Sequence, residues 1–130
     1  MNKIVLDSSV LLAILNGEPG AEIFTEQPGM LANATISAVN LGEVYSKLVS
    51  LKTDPDEAWQ AVTAAVPEVV AFDTDQAEIT GRLIDLTRSR GLSLGDRACL
   101  GLGIALKAPV YTTDRAWKGL RVGVTIHVIR

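Results

Sequence analysis

The chain has 130 residues, of which 48% are hydrophobic and 21% charged. This composition excludes a disordered segment, and the length predicts one domain over residues 1–130 that buries about two-thirds of its unfolded surface. The net charge of −3 argues at first against a nucleic-acid partner. However, residues 1–65 carry three lysines against eight acids, whereas residues 66–130 carry nine lysines or arginines against seven acids. Such asymmetry permits an acidic pocket beside a basic surface.

Cysteine usage and apolar patterning restrict the class of protein further. The single cysteine, Cys99, excludes an internal disulfide and is predicted to be a small buried residue. The apolar N-terminal stretch contains Asp7 and lacks a small-residue cleavage pattern, which argues against a signal peptide. The longest apolar runs are about six residues, far below the ~20 that span a bilayer. We therefore expect a cytoplasmic protein that does not contact a membrane.

The first predicted element is a buried strand, Ile4–Leu6, because an unbroken apolar run is typical of a central strand covered on both faces. Asp7 ends this run. Ser8 and Ser9 are then predicted to cap a helix over residues 10–15. A carboxylate at this position lies where open α/β sheets place their ligands.

The rest of the chain alternates helices with strands. Apolar periodicity, N-caps and turn-forming residues mark the ends of each element. Ser37 and Asp54 are predicted N-caps, Pro28 is predicted to end the helix before it, and Leu94 is predicted to face the core. This alternation predicts an α/β fold with three α/β/α layers and a mainly parallel central sheet. The further predicted helices span residues 21–27, 38–51, 55–66, 74–90 and 93–107, and the further predicted strands span residues 31–36, 69–72, 110–112 and 124–128.

Four acidic residues are predicted to meet at one edge of this sheet. Asp7 and Asp114 each end a strand, and Glu43 and Asp96 each lie in the first turns of a helix. Strand ends and helix starts share one edge in parallel α/β topology. Two like charges ~4 Å apart cost several kcal/mol at a protein surface, so either some of these acids hold protons or the site binds a cation.

The composition of this cluster favours one kind of chemistry. Carboxylates without histidine or cysteine suit Mg²⁺ or Mn²⁺ better than zinc. A site of this kind supports phosphodiester hydrolysis by an activated water, with no protein nucleophile. The only histidine, His127, lies in the last predicted strand and is interpreted as structural.

Each acid also has a purely structural interpretation. Asp7 and Asp114 can serve as N-caps, and Asp96 can complete a capping box with Ser93. Glu43 can be an ordinary solvated side chain. Periodicity alone does not decide between these interpretations.

Four segments resemble the motifs of the PIN-domain family, and more narrowly those of its VapC-type toxins. The resemblance covers nearly the whole chain, with the segments in the family's order and spacing. It implies that four acids form a catalytic metal site and that Thr112 supplies a supporting hydroxyl. The segments are residues 4–11, 36–44, 92–100 and 111–117, and the implied acids are Asp7, Glu43, Asp96 and Asp114.

The resemblance also implies an activity and partners. The activity is Mg²⁺- or Mn²⁺-dependent endoribonuclease action on a structured RNA such as tRNA or rRNA. The partners are a second copy of the chain, forming a homodimer, and a VapB-type antitoxin that covers the acidic site. The helices that carry Tyr45 and Trp59 are candidates for an apolar groove, or both rings belong to the core. Arg97 and Arg115 are the first candidates for phosphate contacts because each follows a proposed site acid.

Several other classes of protein remain alternatives. A PIN-domain nuclease of RNA processing would use the same residues, and a metal-free binding module would use the acids structurally. A receiver-like signalling domain needs paired acids after its first strand, where Ser8 and Ser9 stand here, and a lysine after its fifth strand, whereas Lys107 precedes one. A haloacid-dehalogenase-like phosphatase needs a second aspartate where Ser9 stands.

Overall fold

Five parallel strands form the centre of the computed structural model, which describes residues 2–130. The strand order is β3-β2-β1-β4-β5, so the first strand lies in the middle of the sheet. Helices flank the sheet, which confirms the predicted α/β/α class. The strands are β1 (Ile4–Leu6), β2 (Ala34–Ser37), β3 (Glu68–Val70), β4 (Val110–Thr112) and β5 (Ile126–Val128).

Eight α-helices and two 3₁₀ turns are found within residues 2–130. The helices that follow β1, β2 and β3 begin at Ser8, Ala38 and Thr74, so their N-termini lie near the carboxyl edge of the sheet. The helices are α1 (Ser8–Asn16), α2 (Glu22–Thr25), α3 (Pro28–Ala32), α4 (Ala38–Ser50), α5 (Pro55–Ala65), α6 (Thr74–Arg82), α7 (Ile84–Thr87) and α8 (Leu94–Leu106), and the 3₁₀ turns are Arg88–Arg90 and Arg115–Trp117.

The central strand β1 is buried on both faces, as its apolar run predicts. Ile4 and Leu6 pack in one hydrophobic cluster with Phe24, whereas Val5 packs in a second cluster with Trp117. Alternate residues of a strand point to opposite faces, so the two clusters are the cores on the two sides of the sheet. The end of β1 is therefore held rigidly from both sides.

The segment predicted as one helix over residues 74–90 is instead divided into α6, α7 and a 3₁₀ turn. Arg97, which lies on α8, donates from Nη1 to the carbonyl of Thr80 at 3.0 Å. In a continuous helix that carbonyl would accept from the N–H of Ile84. The side chain inserted from α8 therefore coincides with the break after Leu83.

Three other expectations need correction. Pro28 begins α3 rather than ending a helix, because proline is well suited to a first helical position. The strand predicted over residues 124–128 starts only at Ile126. Leu94, predicted to face the core from α8, is 60% exposed, and Gly95 is the buried residue of that turn.

Other predictions are confirmed. Cys99 is fully buried, and burial raises the pKa of its thiol well above the ordinary value. Ser37 accepts from the N–H of Val39 and caps α4. Asp54 caps α5 by accepting from the N–H of Glu57. Across the part of the chain that the structure describes, none of the helices is long and apolar enough to cross a membrane.

Candidate active site

Asp7 lies at the junction of β1 and α1 and is only 4% exposed. Its Oδ2 accepts hydrogen bonds from the Ser9 hydroxyl at 2.7 Å and from the Thr112 hydroxyl at 3.0 Å. Burial and, to a smaller extent, the nearby charge of Asp96 raise the pKa of Asp7 to about 6, against the lowering effect of these two bonds. Asp7 is therefore a preorganised carboxylate that ionises near neutral pH.

The serines predicted to cap α1 have a different role. The helix already begins at Ser8, and Asp7 occupies the N-cap position without making a capping hydrogen bond. The Ser8 hydroxyl donates to Glu43 Oε1 at 2.6 Å. The Ser9 hydroxyl, besides donating to Asp7, accepts from the backbone N–H of Thr113 at 3.0 Å. Both hydroxyls thus bind the acids of the candidate site.

Glu43 projects from the second turn of α4 and is held on two sides. Its Oε1 accepts from Ser8 and from Asn40 Nδ2, the latter at 2.9 Å. Asn40 is fully buried, and the same Nδ2 also donates to the carbonyl of Gly95 at 3.0 Å. This arrangement links α1, α4 and the first turn of α8 around one carboxylate.

Because Gly95 has no side chain, the Glu43 carboxylate can occupy the space beside its Cα atom. A Cβ atom added at Gly95 would lie 2.6 Å from Glu43 Cδ and 2.8 Å from Oε1, so the Glu43 carboxylate would have to move. By contrast, a Cβ atom at Gly42, one residue before Glu43, would meet no atom within 4 Å.

Replacing Gly95 with alanine is therefore expected to displace Glu43 and lower activity more than stability. If the site has the ribonuclease activity that the resemblance implies, we expect the rate of RNA cleavage to fall about tenfold or more, since misplacing a group by ~1 Å can cost as much as a hundredfold. Gly42→Ala is the matched control, and it should stabilise α4 by about 0.5–1 kcal/mol with unchanged activity. Cleavage rates and chemical denaturation of both variants test this, and equal rates would contradict the role of Gly95.

Asp96 lies in the first turn of α8, where the predicted capping box is present. Ser93 Oγ accepts from the N–H of Asp96 at 3.1 Å, and Asp96 Oδ2 accepts from the N–H of Ser93 at 2.9 Å. Burial raises the pKa of Asp96, and the charges of Glu43 and Asp114 raise it further, against the lowering effect of the Ser93 bonds. Asp96 thus both caps its helix and lies within the field of the other acids.

Asp114 follows β4 and is exposed. Its Oδ1 caps the 3₁₀ turn Arg115–Trp117 by accepting from the N–H of Ala116 at 2.9 Å. Its own N–H donates to the buried Thr112 hydroxyl at 3.0 Å, and that hydroxyl donates to Asp7. Thr112 therefore connects Asp114 with Asp7, a position consistent with the supporting hydroxyl that the resemblance implies.

The four predicted acids lie at one edge of the sheet, and Asp96 is central among them. Its charge affects Asp7, and it is affected by Glu43 and Asp114. Within residues 2–130, however, no three acidic, cysteine or histidine side chains are close enough together to enclose a metal ion. The donor chemistry still fits Mg²⁺ or Mn²⁺, because these ions prefer oxygen ligands and usually keep several of their waters. One or two direct carboxylate ligands are then sufficient.

The two arginines proposed for phosphate contacts are placed differently. Arg97 is half-buried, and its Nη1 is engaged by the carbonyl of Thr80. Arg115 is exposed, with its Nε donating to the carbonyl of Arg130 at 3.2 Å. Arg115 is therefore the better placed of the two to reach a substrate.

The sequence interpretation missed three residues that hold the acids. Ser8 and Ser9 were assigned to helix capping, and Asn40 was not selected at all. A polar residue three positions before Glu43 on the same helix is a usable signal, because residues i and i+3 are neighbours on a helix surface. The contact between Gly95 and Glu43 joins two distant helices, and no local pattern predicts it.

The structure is an α/β/α domain: a parallel sheet lies between helices, and carboxylates lie at the carboxyl edge of that sheet. The sequence matches the PIN domain family model over residues 4–122. The chain belongs to the PIN-domain family. A search of curated proteins finds no match to it.

Solved structures with the same fold include toxin–antitoxin complexes. VapBC from Salmonella typhimurium bound to DNA aligns with a TM-score of 0.73 and 19% identity, covering 97% of each chain. VapBC2 from Rickettsia felis, bound to a promoter DNA fragment, aligns with a TM-score of 0.73 and 17% identity, covering 95% of this chain and 96% of that one. VapC20 from Mycobacterium tuberculosis is described as a toxin that cleaves the sarcin-ricin loop. It aligns with a TM-score of 0.72 and 17% identity, covering 92% of this chain and 98% of that one. At identities of 17–19% this similarity establishes that the proteins share a fold, and no more than that.

Proposed function

We propose that this protein is a Mg²⁺- or Mn²⁺-dependent endoribonuclease and the toxin of a VapBC-type toxin–antitoxin pair. The observation that carries the proposal is the placement of four acids at the carboxyl edge of the sheet, on segments joined by hydrogen bonds of Ser8, Asn40 and Thr112. Membership of the PIN-domain family and the fold shared with VapC20, a toxin named for cleaving RNA, support the same activity.

Asp7 and Asp96 are the residues proposed to hold the metal directly. Asp7 is buried and fixed by two hydroxyl groups, and the charge of Asp96 raises its pKa. Clustered carboxylates of this kind are unfavourable without a counter-charge, and a divalent cation supplies one. When bound, the cation would activate a water and stabilise the charge on the attacked phosphate.

The residues around the acids supply orientation. The Ser9 and Thr112 hydroxyls fix Asp7, and the Ser93 N–H fixes Asp96. Glu43 and Asp114 are the more exposed acids, so they face the side from which a substrate arrives. A carboxylate in that position can orient the attacking water or accept its proton.

The substrate is proposed to be a structured RNA such as tRNA or rRNA in the cytoplasm. The exposed Arg115 is placed beside Asp114 and is the first candidate for a phosphate contact. Arg97 is the second candidate, through the part of its guanidinium that does not bind Thr80. These contacts would position the RNA without reading its sequence.

A VapB-type antitoxin is the proposed protein partner, and α4 and α5 offer it an apolar surface. The rings of Tyr45 and Trp59 pack edge to face with centroids 5.1 Å apart, and Trp59 is 47% exposed. Leu51, at the end of α4, is 62% exposed. Trp59 is therefore a surface residue rather than a core residue. The family resemblance also supports a homodimer, which light scattering of the purified protein would test.

Cleavage of total cellular RNA by the purified protein tests the proposed activity. With Mn²⁺ the parent is expected to give discrete fragments, and EDTA should abolish them. Asp7→Asn should cleave at least a hundredfold more slowly, because a metal ligand and its charge are lost. Asp56→Asn is the matched control, since Asp56 is an exposed acid in the first turn of α5 and should leave cleavage unchanged.

The same experiment separates the remaining functions. A parent that gives no fragments, and whose melting temperature does not change with Mn²⁺, would favour a metal-free binding module. Fragments from one precursor RNA only, without inhibition of growth on expression, would favour a PIN-domain nuclease of RNA processing.

A further inference from the structure

A groove beside β4 and β5 contains the chemistry of a nucleotide site, although none of the proposed catalytic residues lines it. Its volume is about 600 Å³, within the usual range of small-molecule sites. Apolar side chains form most of its wall. The residues that line it are Ile23, Gln27, Met30, Tyr111, Lys118, Gly119, Ile126, His127, Val128 and Ile129.

Two aromatic rings form the floor of this groove. Tyr111 and His127 are directly paired across β4 and β5, and their rings stack at 22° with centroids 4.5 Å apart. Phe24, which is only 1% exposed, packs edge to face against Tyr111 at 5.5 Å. The three rings therefore pack in sequence from Phe24, which is buried, through Tyr111 to His127, which is exposed.

The exposed end of this row follows from the sheet topology. β5 is an edge strand, so none of the strands in the described part of the chain lies beyond His127. A planar ring can stack on a preorganised aromatic surface of this kind, and base stacking on aromatic side chains is tolerant of sequence.

The polar groups of the groove favour a nucleotide over an apolar ligand. Lys118 is the only residue with a formal charge among those that line it, and it is exposed, so the groove favours an anion. Gln27 adds an amide that can pair with the edge of a base. A planar base with an attached phosphate satisfies the rings, the amide and the ammonium group together.

Two residues of the groove adjoin residues of the acidic site in sequence. Tyr111 precedes Thr112, which binds Asp7. Lys118 ends the 3₁₀ turn that Asp114 caps. Because neighbouring residues of a strand point to opposite faces, the Tyr111 ring and the Thr112 hydroxyl lie on opposite faces of β4.

We propose that the groove between Tyr111, His127 and Lys118 binds a nucleotide of the RNA substrate. The inference rests on the proposed ribonuclease function for its biological meaning. Binding itself does not depend on catalysis, so the two are separable by experiment.

The test is an NMR titration of the ¹⁵N-labelled protein in EDTA with adenosine 5′-monophosphate, adenosine and inorganic phosphate. Adenosine 5′-monophosphate is expected to shift the amides of Tyr111, Lys118 and His127. His127→Ala should weaken this binding about tenfold, whereas His127→Phe should retain it because the stacking surface remains. Lys118→Gln should weaken the binding of the monophosphate and leave that of adenosine unchanged.

Controls and kinetics complete the test. Lys47→Gln and Leu86→Ala change an exposed charge and an exposed apolar side chain outside the groove, and both should bind as the parent does. In RNA cleavage, His127→Ala should raise KM about tenfold with little change in kcat.

The outcomes distinguish this inference from the proposed function. Cleavage of RNA by the parent with no amide shifts in the groove would overturn the nucleotide site and leave the ribonuclease proposal intact. Amide shifts without cleavage would support the site and contradict the ribonuclease. If His127→Ala binds adenosine 5′-monophosphate as the parent does but loses self-association or antitoxin binding, the groove is a protein interface and the inference is wrong.

Discussion

Replacing Asp96 with asparagine is expected to lower the rate of RNA cleavage about a thousandfold while leaving the fold intact. A metal site provides several kcal/mol of transition-state stabilisation, and each 1.36 kcal/mol is a factor of ten in rate. The asparagine side chain keeps an oxygen that can accept from the N–H of Ser93, so the capping box survives. The activity is therefore expected to fall for lack of charge rather than lack of structure.

The stability of the Asp96→Asn variant should change in the opposite direction. Burial and the charges of Glu43 and Asp114 raise the pKa of Asp96, so its ionised form is unfavourable in the metal-free protein. Removing that charge should raise the melting temperature in EDTA. Asp75→Asn, which also removes an acid from a first helical turn, is the control and should change neither rate nor melting temperature appreciably. Cleavage by Asp96→Asn at the parental rate with saturating Mn²⁺ would show that the site is assigned wrongly.

Asp7 is expected to contribute a loss of about 3 kcal/mol to the stability of the metal-free protein as the pH rises from 4 to above 6. Its pKa is about 6 in the folded protein, against 3.8 for the ordinary group. Between these values the folded state binds more protons than the unfolded state, so the free energy of unfolding decreases with pH. A difference of about two pKa units corresponds to about 3 kcal/mol.

Guanidinium unfolding in EDTA at several pH values measures this effect. Asp7→Asn should lose this part of the pH dependence and exceed the parent in stability at pH 7.5. Asp56→Asn should follow the parent at every pH. Mn²⁺ is expected to stabilise the parent at pH 7.5, since a cation favours the ionised carboxylate. Identical pH profiles for the parent and Asp7→Asn would contradict a buried, weakly acidic Asp7.

The sequence predicted the sheet well, and it predicted that the acids lie at strand ends and helix starts, for a physical reason. A continuous apolar run such as Ile4–Leu6 is required of a strand covered on both faces, and the acids follow such strands or open helices. The residues that hold the acids were harder to predict. Ser8 and Ser9 have a strong intrinsic tendency to cap helices, and only the packing of α1 against α4 brings Ser8 to Glu43.

Tertiary contacts also overrode local signals elsewhere. The break after Leu83 coincides with Arg97, whose side chain comes from another helix and binds the carbonyl of Thr80. The burial of Gly95 reflects the space taken by Glu43 rather than the periodicity of α8. His127 was interpreted as structural. Its stacking on Tyr111 and its exposure follow from the register of β4 with β5, which the sequence of β5 does not reveal.

The position of β1 in the middle of the sheet has a consequence for the order of folding. β1 pairs with β4, and the hydrogen bond between Asp7 and Thr112 closes a loop of 105 residues. Contacts of such long range form slowly, because the chain entropy of closing the loop must be overcome first. During synthesis β1 can pair with β2 early, whereas its other edge is completed only when β4 has been made. The acidic centre is therefore complete only after most of the polypeptide has been synthesised, and under the proposed function the nascent chain is expected to be inactive until then.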